Sequence, residues 1–115
     1  MDFAGWTRGR REDTPISWGT EQVIEKARLN ATVQGRVQGV FFRAFVEEHS
    51  LSLALAGYAK NLPGGQVRVV AEGERGHLER LLQLLHQGPP GAKVEGVDFR
   101  WEEYQGNFHD FTIRY

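Results

Sequence analysis

The sequence predicts an α+β protein, a two-layer sandwich with two helices on one face of a mostly antiparallel sheet. Three observations carry that expectation. Leu78, Leu81, Leu82 and Leu85 fall at i, i+3, i+4 and i+7, the spacing of one helix face. Leu29, Ala31 and Val33, and later Val67, Val69 and Ala71, alternate along the chain as the buried side of a strand does. Glycine and proline clusters divide these runs into the order β-α-β-β-α-β-β. Two helices with one apolar stripe each must bury it, and one face of a sheet can take both.

Element by element, the first strand ends at Gly35. A helix is expected from about Phe42 to Ala56, with Ala44, Phe45, Val46, His49, Leu53 and Leu55 on or beside its buried face and Gly57 as its C-terminal cap. Tyr58 to Leu62 reads as the second strand, and Pro63-Gly64-Gly65 as a tight turn. The third strand is closed by Glu72-Gly73. The second helix spans Glu74 to Gln87, Leu84 flanks its stripe, and Gly88-Pro89-Pro90-Gly91 stops it. The fourth strand puts Val97, Phe99 and Trp101 on one face, with Val94 near its start. Gly106-Asn107 breaks it, and Phe111, Ile113 and Tyr115 alternate to the end. This is a ferredoxin-like β-α-β-β-α-β arrangement with an additional C-terminal strand. A right-handed crossover through the first helix makes strands one and two parallel.

The 115-residue chain suits one domain with its own core, expected over residues 27–115. Residues 1–26 read as a leader. Phe3, Trp6, Ile16 and Trp18 occur there without a period, around the basic Arg8, Arg10 and Arg11, and Thr20 could cap a helical turn over Glu21 to Ala27. A net charge of −1 supplies no global field for nucleic acid or an anionic membrane, so anion binding must be local. The absence of cysteine excludes disulfides and thiolate chemistry, and the four histidines show no metal-ligand spacing. No apolar run nears the roughly 20 residues of a membrane span, and there is no signal-peptide pattern. A cytoplasmic monomer is expected.

The stretch Gly35-Arg36-Val37-Gln38-Gly39-Val40-Phe41-Phe42-Arg43 lies between a strand and a helix. Amides in a first helical turn lack internal acceptors and attract anions, and an arginine adds a planar fork suited to phosphate oxygens. The stretch can therefore cradle a compact anion or serve as a plain connector. It is not a Walker A loop, since no Lys-Ser or Lys-Thr follows its second glycine, and it lacks the acidic ribose anchor of a dinucleotide fingerprint. Asn61 is an ordinary turn residue by itself. Parallel strands one and two, however, bring it to the same sheet edge as the cradle.

These residues resemble a known family. Val33 to Arg43 is similar to the first signature of the acylphosphatases, and Gly57-Tyr58-Ala59-Lys60-Asn61-Leu62-Pro63-Gly64-Gly65, with Val67, Val69 and Ala71-Glu72-Gly73, is similar to the second. The terminus Phe111-Thr112-Ile113-Arg114-Tyr115 is also similar, so the likeness covers residues 28–115. It implies metal-independent hydrolysis of acyl phosphates to a carboxylate and inorganic phosphate, with no cofactor. By position, Arg43 matches the catalytic, phosphate-binding arginine and Asn61 the asparagine that holds the attacking water. The amides of Gly35, Arg36, Val37, Gln38, Gly39 and Val40 match the phosphate-binding loop. The likeness also implies that the C-terminal carboxylate at Tyr115 sits near Arg43.

Other residues carry less. His49 reads as a helix-face histidine, and the adjacent pairs Glu47-Glu48 and Glu102-Glu103 point to opposite faces and form no dyad. Phe41, Phe42 and Phe45 read as core and loop support, and Arg36 as a solvated charge or a widening of the cradle's field. Two alternatives stand beside the enzyme: an anion-binding or partner-docking module without turnover, and an RNA-binding domain of the same topology. The RNA-binding signature is missing from strand three, so no nucleic-acid partner is expected.

Overall fold

Alternation along residues 26–36 makes β1 (Lys26–Arg36) a strand with one buried face, and it lies inside the sheet with a neighbour on each side. The computed structural model describes residues 24–115. After β1 come α1 (Phe42–Ser52), β2 (Ala56–Asn61), β3 (Val67–Glu74), α2 (Arg75–Gln87), β4 (Lys93–Glu102) and β5 (Phe111–Arg114). The sheet order is β4-β1-β3-β2-β5. β1 is antiparallel to β3 and β4, β3 is antiparallel to β2, and β2 is parallel to β5. The C-terminal ends of β1, β2 and β5 therefore meet at one edge.

One face of the sheet carries the core. Leu29, Ala31 and Val33 of β1, Val67, Val69 and Ala71 of β3, and Ala59 of β2 are buried with Phe42 and Val46 of α1 and Leu78, Leu81 and Leu85 of α2. In α2, Leu84 is buried and Leu82 only partly, so the stripe is centred one residue to the side of the expected one. Arg75 lies 3.8 Å over the Trp101 ring and ties the start of α2 to β4.

Helix α1 starts at Phe42 as expected and departs from the sequence reading at its C-terminal end and on its face. Phe42, Val46 and Ser50 are its buried residues, and Ala44 is exposed. The helix ends at Ser52, not Ala56. Ala54, at φ 57°, makes the left-handed turn, and the Leu53 and Leu55 amides donate to the carbonyls of His49 and Ser50. Gly57 is not a cap: Ala56 and Gly57 already pair with Glu72 and Ala71 of β3. Strand pairing with a distant segment outweighs the local capping preference here.

Two further differences arise at the edges. The expected helical turn over Glu21 to Ala27 is absent where it can be seen, since Lys26 and Ala27 are already extended and pair with Glu74 and Gly73. Thr20 and the other residues of 1–23 lie outside the described residues. In β4 the register slips between Gln34 and Gly35, leaving Glu95 as an extra residue opposite them. The bulge lets Val94 and Val97 both pack on the core despite their odd spacing, and Phe99, at the open edge, is 46% exposed.

The helix-free face has its own small layer. The segment after β4 laps onto it, with Phe108 packed against Tyr58 at 6.0 Å between ring centroids. Glu72 is 3% exposed, and its carboxylate accepts the Gln105 and Gly106 amides at 2.9 and 3.1 Å and pairs with Arg28 at 3.3 Å.

Candidate active site

The loop between β1 and α1 begins at the bulge. A Cβ on Gly35, whose φ is +122°, would stand 2.1 Å from the Lys93 carbonyl oxygen, so only glycine allows β1 and β4 to approach there. Val37 is 1% exposed and pins the loop to the core, while Val40 packs partly against it. Gly39 (φ 74°) and Phe41 (φ 61°) both take left-handed conformations, and turns of this kind bring successive N–H groups to one side. The first turn of α1 adds further unpaired amides, beyond the bond from Phe45 N to the Phe41 carbonyl.

Arg43, in that first turn, and Asn61, the last residue of β2, line one cleft of about 300 Å³. Val37, Gly39, Phe41, Ile113 and Tyr115 share its lining. Asn61 pairs with Val67 and so projects from the core-bearing face, toward the helices. Its side-chain amide has no hydrogen-bond partner among the described residues. The structure thus joins Arg43, Asn61, Val37 and Gly39 at one place. Gly35, Arg36, Gln38 and Val40 do not line the cleft, and Arg36 is exposed.

Gln38 has a part that sequence reasoning missed. Its side-chain amide donates to the carbonyls of Leu62 at 2.8 Å and Gln66 at 2.9 Å, bracing the loop against the turn that follows Asn61. Glutamine in a loop carries no signal for this. Phe41, expected as core and loop support, is instead 85% exposed at the cleft. The apolar run Val40-Phe41-Phe42 concealed it, since only the left-handed turn at Phe41 separates its direction from that of the buried Phe42.

The C-terminus does reach Arg43, by a different contact from the expected one. Arg43 Nη1 donates to the Arg114 carbonyl at 3.0 Å, and its guanidinium lies 4.6 Å from the centre of the Tyr115 ring. No ion pair between Arg43 and the terminal carboxylate is found among the described residues. One carbonyl uses one of five guanidinium donors and leaves the rest for a ligand. No group of three His, Cys, Asp or Glu side chains able to hold a metal converges among the described residues.

The cleft thus brings a glycine-containing loop, an arginine and an amide side chain together at the edge of an α+β sandwich. Comparison with known proteins points to a family. The family model for acylphosphatases matches residues 29–113. An acylphosphatase of Thermus thermophilus is 54% identical over 84 residues, covering 71% of this chain and 96% of that protein. One from Dehalococcoides mccartyi is 47% identical over 88 residues, covering 76% and 97%. Among solved structures, the acylphosphatase from Bacillus subtilis superposes with a TM-score of 0.75 at 34% identity, covering 77% of this chain and 99% of that one. The chain belongs to the acylphosphatase family.

Proposed function

We propose that Arg43 and the amides of Gly35, Arg36, Val37, Gln38, Gly39 and Val40 bind the phosphoryl group, and that Asn61 holds the attacking water. The reaction is that of the family: the chain hydrolyses acyl phosphates to a carboxylate and inorganic phosphate. The observation that carries the assignment is that Arg43 and Asn61, from different elements, line the same cleft beside the loop.

Water attacks phosphorus, the bond to the acyl oxygen breaks, and the carboxylate leaves with the electron pair. The leaving group is a stabilised anion and needs little protonation. The loose transition state spreads charge over the phosphoryl oxygens, where fixed amides and a guanidinium act best. Asn61 does not titrate, so it orients the water and a phosphoryl oxygen takes the proton. No step is routed through a metal or a covalent intermediate. The non-catalytic module is not favoured by membership of a family of hydrolases.

The catalytic unit in this reading is residues 27–115, acting as a cytoplasmic monomer without a nucleic-acid partner. No helix among the described residues is long and apolar enough to cross a membrane. The test is hydrolysis of benzoyl phosphate with a chelator present. Asn61→Ala should lose about 10²-fold in kcat while inorganic phosphate still inhibits. Arg43→Ala should lose both turnover and phosphate inhibition. Full activity in Asn61→Ala, or a requirement for magnesium, would overturn the assignment.

A further inference from the structure

The cleft has a second, apolar component that phosphate binding does not use. Phe41 and Tyr115 line it, at 85% and 93% exposure, so both rings stand at its mouth. Phe41 has φ 61° and ψ 29°, a conformation that costs a bulky side chain energy and that glycine takes freely. Its side chain makes no capping bond to α1. Neither burial nor capping therefore accounts for a phenyl ring at this position. Strain held at a residue that lines a site points to use of that residue.

We infer that Phe41 is a specificity-determining residue which, with Tyr115, seats the acyl group of the substrate. The enzyme then favours aromatic or extended apolar acyl phosphates over acetyl phosphate. This rests on the reading of Arg43 as the phosphate ligand. With the phosphoryl group at Arg43, the exposed rings of Phe41 and Tyr115 are the cleft-lining surface open to the acyl group. The Arg43 guanidinium, 4.6 Å from the Tyr115 ring centre, keeps that ring beside the phosphoryl position. Exposed aromatic faces reward an acyl group by contact area and ring geometry, and a methyl group offers little of either.

The experiment compares kcat/KM for benzoyl and acetyl phosphate in the wild type, Phe41→Gly and Phe41→Leu, with the phosphate Ki and Tm of each. Phe41→Gly should lower the benzoyl-to-acetyl ratio by about 3- to 10-fold, chiefly through KM for benzoyl phosphate. Its Tm should rise by roughly 2–6 °C as the left-handed strain is released. Phe41→Leu keeps the strain, so its ratio should fall less and its Tm should not rise. An unchanged ratio in both variants overturns the inference, as does an equal loss on both substrates, which would mark Phe41 as loop support. Arg43→Ala, measured alongside, separates the two readings. If it keeps phosphate inhibition, the cradle assignment fails. If it loses inhibition while the Phe41 variants keep the wild-type ratio, only the acyl seat fails.

Discussion

Glu102 shows how a single carboxylate on this sheet gains its charge stability from its neighbours. The Arg100 side chain, bonded to it at 2.7 Å, lowers its pKa below the ordinary 4.5, and burial partly opposes this. Asn30 adds a bond at 3.3 Å, and the charges of Arg100 and Arg28 add attraction. A folded-state pKa below the unfolded value means stability that is present above the unfolded pKa and lost as pH falls through the folded one. Tm should therefore decline as pH drops below 4.5, and Glu102→Gln should flatten part of that slope while lowering Tm near neutrality. Thermal melts from pH 7 to 3 would check it, and identical slopes in both proteins would refute it. That Arg43 and Asn61 come to one sheet edge was, in contrast, legible in the sequence, because a crossover through the first helix makes the strands that lead to them parallel. Phe41 was not, because a single backbone angle decides whether its ring is core or solvent-facing.

At the scale of elements, the bulge at Gly35 aligns the loop with the sheet. Gly35→Ala would drive a methyl group into the Lys93 carbonyl and force a positive φ on a residue that resists it. We expect a loss of about 2–4 kcal/mol, seen as a lower denaturant midpoint at unchanged slope. A loss under about 0.5 kcal/mol would mean that β1 and β4 separate easily there. The fold class and the helix α2, with Leu78, Leu81 and Leu85 on its buried face, were readable from local periodicity, whereas the burial of Leu84 ahead of Leu82 depends on how the helix is rotated against the sheet. The end of α1 was not, because Ala56 obeys its partner Glu72 in β3 and not the nearby Gly57. The same holds for the lap of residues 103–110 over the helix-free face. Polar, unpatterned sequence gives no hint that a buried carboxylate waits beneath it.

For the whole molecule, the decisive fact is that β1, β2 and β5 run in one direction and end together. That placement brings the loop after β1, Asn61 at the end of β2 and Tyr115 after β5 to one edge from widely separated parts of the chain. The Glu72 contacts secure the last of these strands, since the segment they hold leads directly into β5. Amides in an exposed coil ordinarily trade protons with solvent within moments. Those of Gln105 and Gly106 should instead exchange slowly, at rates near those of the β3 amides, because release requires the coil to lift off a buried anion. Hydrogen-exchange measurement reads this directly, and Glu72→Gln should accelerate both. Fast exchange in the wild type would mean that β5 is docked by its own ladder alone. Slow exchange would make the tail of the chain part of its most persistent structure.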